Sequence, residues 1–268
     1  MEETTVLSEE ETALYREQGY LALKNLCPED EVGYIRRTLL ELFANKTGYN
    51  EGAQYDFISR DDPSKPAKFP SLHDPRHYAP GLLKTEYHAR TLELAKQLLG
   101  EDAALYGEHA LLKPALTGPE TPWHQDEAFR SPDFVYNELS IWLALQPATK
   151  ENGCMQFIPG SHRWEVLRHD SPGGDKSLHP LECVADFPRE QAAAERWTRA
   201  AARCTTPARC TSRAPTPRRL RGWRTSSSTT PRRCTSRAGA SSRGWKAAGP
   251  TARPARRNGT GAAGWRWR

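Results

Sequence analysis

The chain has 268 residues, enough for one large domain or two small ones, and carries a formal net charge of +5. That charge is unevenly spread: residues 196–268 hold 18 Arg, one Lys and no acidic residue, or +19, which leaves −14 for the residues before them. No run of about 18 apolar residues exists, which excludes a spanning helix, and the acidic start Met1-Glu2-Glu3 leads into no apolar stretch of the kind a signal peptide needs.

Ser8 followed by Glu11 is a capping-box pattern that opens a short helix ending at Gly19. Tyr20–Leu23 is expected as a strand. Pro28 stands where a first helical residue is tolerated, and Val32, Ile35, Leu39 and Phe43 follow at helical spacing to about Ala44. Residues 46–80, rich in Asp, Pro, Lys and Ser, read as one long loop, and a third helix is expected near Arg90–Leu99, stopped by Gly100. From there the period shortens. Ala103–Tyr106 and Ala110–Lys113 read as strands, and Leu139, Ile141, Leu143 and Leu145 alternate with Ser140, Trp142 and Ala144, a period of two that predicts one buried face. Met155–Ile158 gives a further short strand, closed by Pro159-Gly160. Helices followed by short strands predict a mainly β barrel with helices packed outside it. Cys27, Cys154, Cys183, Cys204, Cys210 and Cys234 form no C-x-x-C pair, so zinc and thioredoxin-type chemistry are disfavoured. A cytoplasmic protein with free thiols is expected.

Pro122-Trp123-His124-Gln125-Asp126 carries the chemical signal. In an extended strand His124 and Asp126 leave the same face, so they can occupy adjacent positions on a metal ion. With a second histidine they would form the two-His-one-carboxylate triad of non-haem iron(II) oxygenases, whose open positions take a bidentate keto acid and O₂. A His-x-Asp triplet alone is more often a surface or capping pair.

The surrounding run narrows the reading. Leu112-Lys113-Pro114, Gly118 and Pro122–Asp126, then Glu151-Asn152-Gly153-Cys154-Met155 and Ile158-Pro159-Gly160-Ser161-His162, resemble the signature of the phytanoyl-CoA dioxygenase family over about residues 7–190. The resemblance implies a double-stranded β-helix (a cupin-like jelly roll) with N-terminal flanking helices. It further implies Fe(II), 2-oxoglutarate and O₂ as reagents, ascorbate as reductant, and a small-molecule substrate. By the same resemblance His124 and Asp126 would be iron ligands, and Trp142 and His109 would line the 2-oxoglutarate pocket. As plain strand residues, Trp142 is equally a core aromatic, and His109 is more readily a satisfied strand histidine. Lys113 is able to reach an anion but stands at a strand end, where lysines are usually exposed, and His162 is expected to close the Pro-Gly-Ser turn. In halogenating relatives a small residue replaces the carboxylate ligand, so Asp126 implies hydroxylation, coupled to decarboxylation of 2-oxoglutarate.

The family pattern breaks downstream. It requires a distal histidine in a run such as His-x-Ser/Thr-Gly-x-Asn and, eleven positions on, an arginine for 2-oxoglutarate, yet the last histidine here is His179. Residues 196–268 contain one Leu, Leu220, and no Ile, Val, Phe, Tyr or Met, so no apolar period exists and disorder is expected, with the C-terminal strands missing. Codons that straddle neighbouring residues restore the run. Cys210-Thr211 yields His or Tyr, and from Arg203 onward the straddling codons permit V-H-H-P-R-T-L-H-F-T-G-P-N. The codon across Arg221-Gly222, eleven codons after the one across Cys210-Thr211, permits Arg. The other shifted frame gives Ala or Val at Cys210-Thr211 and loses the motif. The sequence therefore reads as an incomplete jelly-roll domain, 1–190, followed by an out-of-frame tail, 191–268. The alternative is a genuine basic tail on a catalytically silent jelly roll, contacting nucleic acid through phosphates. On the first reading the protein is a dioxygenase impaired by loss of its third ligand, with neither a membrane nor a nucleic-acid partner.

Overall fold

The computed structural model describes residues 6–24, 26–114, 120–149 and 154–194, together with the backbone of 202–205, 210–213, 222–229 and 235–236. Helix α1 (Glu9–Gln18) begins at the expected capping box. The Ser8 hydroxyl accepts from the Glu11 N–H while the Glu11 carboxylate accepts from the Ser8 N–H, and Gly19 closes the helix at φ 74°. Strand β1 (Tyr20–Leu23) follows, then α2 (Glu29–Ala44), whose Val32, Ile35, Leu39 and Phe43 form its buried stripe. The stretch expected as one loop contains two short strands, β2 (Gln54–Asp56) and β3 (Pro70–His73). Helix α3 spans Glu86–Leu99 and starts earlier than expected, because the Thr85 hydroxyl accepts from the His88 N–H as an N-cap. The two strands expected at 103–113 form one, β4 (Leu105–Lys113).

Strands β5 (Thr121–Gln125), β6 (Phe134–Val135), β7 (Leu139–Ala144), β8 (Met155–Phe157), β9 (His169–Asp170), β10 (Glu182–Cys183) and β11 (Ala193–Ala194) follow. Beyond them lie β12 (Ala202–Thr205), β13 (Cys210–Arg213), β14 (Gly222–Thr229) and β15 (Thr235–Ser236). A large sheet has the order β1-β12-β7-β14-β4-β3-β2 and a small one β11-β8-β13-β5; the pairs β9–β10 and β6–β15 stand apart. The eight strands β4, β5, β7, β8, β11, β12, β13 and β14 fall in the large, small, large, small, small, large, small and large sheet. That is the winding of a jelly roll.

One face of the large sheet carries the helices. Leu72, Ala110, Leu139, Ile141 and Leu143 share a core with Leu39, Phe43, Tyr87 and Leu94 of α2 and α3. The opposite face looks at the small sheet: Trp142 and Ala144 pack with Cys154 and Met155, and Tyr20 stacks on Phe157 with ring centroids 5.4 Å apart. Strand β7 is therefore buried on both faces, where period two alone predicted one. Cys27, Cys154 and Cys183 are buried free thiols.

The expectation of missing C-terminal strands and a disordered tail is corrected for the described stretches. Strand β12 lies between β1 and β7, β14 between β7 and β4, and β13 between β8 and β5. One compact unit runs from Met1 to Arg237. Strand pairing uses main-chain N–H and C=O groups, which every residue but proline supplies, so the absence of apolar periodicity does not forbid it.

The connection from β2 to β3 is organised by one buried carboxylate. Asp56 accepts from the N–H groups of Ile58, Lys68 and Phe69 and from the Ser59 hydroxyl, at 2.6–3.2 Å. Asp56→Ala would leave these donors facing an apolar methyl. The expected result is a loss of about 2–3 kcal/mol in urea unfolding, with Asp56→Asn losing less.

Candidate active site

Strand β5 ends where the chemistry begins. The Gln125 side chain is fully buried on one side of the strand, accepting from the Leu167 N–H at 2.7 Å and donating to the Glu165 carbonyl at 3.2 Å. His124 and Asp126 therefore leave by the other side, Asp126 as the first residue of a 3₁₀ turn that runs to Phe129. That side faces the barrel interior. Thr211 is the cross-strand partner of both His124 and Phe157, partners share a face, and Phe157 stacks on Tyr20 of the facing sheet.

His124 Nε2 lies 3.4 Å from Asp126 Oδ1. Its other nitrogen, Nδ1, is 2.8 Å from the Pro122 carbonyl, which can only accept, so Nδ1 carries a proton. Nε2 is then the nitrogen turned toward the Asp126 carboxylate, an arrangement that suits a cation held between the two groups. Two ligand atoms at about 2.1 Å in adjacent positions of a metal stand about 3 Å apart, close to this spacing. A backbone carbonyl on Nδ1 is also the usual second contact of a metal-binding imidazole. The pair thus fits a divalent metal as two of its ligands.

None of the seven other histidines joins them. His169 Nε2 accepts from the Gln125 N–H at 2.9 Å and its Nδ1 donates to the Leu167 carbonyl, so both nitrogens are committed. His162 holds the Arg16 carbonyl at 3.1 Å, the turn-closing position expected of it. His88 pairs with Glu108 on the helix side of β4. Among the described residues no group of three His, Cys, Asp or Glu side chains could hold a metal ion.

Trp142 and His109 share the interior wall. Both are register partners of Ser226, one on each side of β14, and Trp142 is fully buried. His109 belongs to a group that the sequence did not reveal. It stacks on His73 with ring centroids 4.4 Å apart, and the Tyr55 hydroxyl lies 2.8 Å from His73 Nε2 and 3.5 Å from His109 Nε2. His179 packs on Tyr55 from the segment after β9. Burial pushes the Tyr55 phenol far above its usual range. Reading 46–80 as loop hid this group; a Gln-Tyr-Asp and a Ser-Leu-His triplet were the available signals. Lys113, expected to be exposed, is fully buried on the same wall, with Nζ 6.0 Å from the centre of the Phe69 ring.

Residues 15–203 match the phytanoyl-CoA dioxygenase (PhyH) family. The chain belongs to that family. It is 26% identical over 199 residues to a probable phytanoyl-CoA dioxygenase of Caenorhabditis elegans, an alignment covering 67% of this chain and 62% of the relative. To the ectoine dioxygenase of Sphingopyxis alaskensis it is 26% identical over 160 residues, covering 59% of this chain and 50% of the other. The chain thus spans less than two thirds of these relatives. Among solved structures it is similar to EvdO2 from Micromonospora carbonacea var. aurantiaca complexed with 2-oxoglutarate, at 26% identity and a TM-score of 0.73. That match covers 87% of this chain and 94% of EvdO2. Among the described residues no helix of this PhyH-family chain is long and apolar enough to cross a membrane.

His169 gives the site region a pH dependence. Burial, which penalises the charged imidazolium, lowers its pKa from the usual 6.5, with a smaller push down from nearby His124. Below that value the unfolded chain binds a proton that the folded chain resists, so stability falls as pH falls. The urea midpoint should be level above pH 7 and decline as pH drops below about 6.5. His169→Gln, which keeps an acceptor but takes no proton, should flatten that decline.

Proposed function

We propose that this is the chain of a non-haem iron(II)- and 2-oxoglutarate-dependent dioxygenase that hydroxylates a small organic substrate, impaired by the loss of its third iron ligand. The observation that carries the reading is the inward-facing pair of His124 Nε2 and Asp126 Oδ1 at 3.4 Å, with Nδ1 held by the Pro122 carbonyl. Family membership and the likeness to a structure bound to 2-oxoglutarate support the cofactor choice. Bound iron would couple O₂ reduction and decarboxylation of the keto acid to oxidation of a substrate C–H bond. His124 and Asp126 would hold the metal, and the second oxygen of Asp126 would orient a bound water or substrate group. Trp142 would exclude water from the keto-acid pocket, and His109 would form its side wall. The carboxylate at position 126 favours hydroxylation over halogenation, since it occupies the place a halide would need. Ascorbate would serve to keep the iron reduced.

The register supports an out-of-frame origin for the tail. The straddling codon read as histidine lies across Cys210-Thr211, and these residues are the partners of Gln125 and His124. The straddling codon read as arginine lies across Arg221-Gly222, and Gly222 is the partner of Lys113. Two positions where shifted codons fit the family's run thus coincide with places on the sheets where a ligand and a cation would be useful. The rival reading, a silent jelly roll whose basic tail contacts nucleic acid, requires an intact frame in the gene.

Restoring the frame tests both readings together. With iron(II) and ascorbate, the restored protein should release succinate from 2-oxoglutarate, and the chain as written should do so at least about a hundred-fold more slowly, since even the loss of a hydrogen-bond partner behind a metal ligand costs about 10–100-fold. Equal rates in the two proteins would refute the impairment.

A further inference from the structure

The connection from β5 to β7 crosses from one sheet to the other. Strand β5 is the edge strand of the small sheet, while β7, which carries Trp142, lies within the large one. The connection opens with the 3₁₀ turn Asp126–Phe129, which folds back on its own strand. The Phe129 ring meets the His124 ring edge-on, with centroids 5.8 Å apart, and the Arg130 N–H donates to the Glu127 carbonyl at 2.9 Å.

At Arg130 the segment reaches the large sheet. Arg130 Nη2 donates to Glu138 Oε2 at 3.0 Å, and its guanidinium carbon stands 5.7 Å from the centre of the Tyr106 ring on β4. Glu138 immediately precedes β7 and is buried. Inside the loop that this pair closes, the Tyr136 hydroxyl donates to the Ser131 carbonyl at 3.1 Å. A buried ion pair adds little net stability over apolar residues of similar size, because desolvation of both charges offsets their attraction. It does supply direction, since a charged N–H and a carboxylate oxygen bond strongly in few orientations. Asp126 therefore lies between two fixed points: the Gln125 amide on one side and, four residues on, the Arg130 guanidinium on the other.

We propose that Arg130 is a positioning residue for Asp126. By tying the far end of the 3₁₀ turn to Glu138 and Tyr106, it keeps Asp126 Oδ1 beside His124 Nε2 at the spacing a metal needs. The Asp126 side chain is 38% exposed, so with a loosened turn it would swing toward water and have to be brought back on metal binding. The inference rests on the metal reading above and adds a residue that touches no metal.

The test titrates the full chain with cobalt(II), whose visible absorption reports its ligands, and needs no turnover. Asp126→Ala identifies the part of the signal that belongs to this site. Arg130→Met should weaken that binding about ten-fold, the low end of the loss seen when support behind a metal ligand is removed. The contact with Glu138 is a single N–H···O bond rather than a fork, so Arg130→Lys should restore the affinity to within about three-fold of the unaltered chain. Arg130→Met leaves a buried carboxylate unpaired and can fail to fold. Arg130→Met combined with Glu138→Gln removes that charge as well as the tie, and should show the same ten-fold loss. Thermal unfolding checks that each variant is folded. Cobalt affinity within about two-fold of the unaltered chain in the folded double variant, or a loss in folded Arg130→Lys as large as in that variant, overturns the positioning role and leaves the metal reading standing. If the unaltered chain binds no cobalt, or binds it equally after Asp126→Ala, the metal reading falls and the positioning role with it.

Discussion

The buried amide of Gln125 fixes the direction of the residues on either side of it. Its oxygen and nitrogen are both engaged by the 165–167 segment, and its own N–H is held by His169. Turning strand β5 over would leave those groups unsatisfied in the interior, at a cost of about 1–3 kcal/mol for each. The strand is therefore locked in one sense, and alternation delivers His124 and Asp126 to the barrel interior. The Pro122 carbonyl then sets the tautomer of His124. His124 and Asp126 are thus oriented from outside the barrel, by contacts that involve no metal.

The same logic governs the large sheet. Because β7 is buried on both faces, its outward residues anchor the helices while Trp142 and Ala144 are free to form the inner wall. Strand β4 divides its residues similarly, with Glu108, Ala110 and Leu112 on the helix side and His109, Leu111 and Lys113 inside.

Legibility in the sequence followed the type of signal. The capping box at Ser8 and Glu11, the stripe Val32-Ile35-Leu39-Phe43 and the triplet His124-Gln125-Asp126 are local patterns, and each reappears in the structure. Strands β2 and β3 were missed because three or four residues, one of them Pro70, are too few to display a period. With them went Tyr55 and His73, whose significance lies in neighbours supplied by other strands. Lys113 was misjudged for a related reason: its Lys-Pro context describes a strand end, while the fold buries it with Nζ near the Phe69 ring.

The tail separates what holds a sheet together from what makes a site. Strands β12, β13 and β14 fill gaps whose neighbours, β7, β4, β8 and β5, offer unpaired main-chain groups, and any chain able to extend can satisfy them. A metal ligand is not interchangeable in this way, because it must be an imidazole or carboxylate at one register position. The partner of His124 is Thr211, whose hydroxyl is a poor substitute for an imidazole. A change of reading frame can therefore spare much of the hydrogen-bonded framework while removing the chemistry.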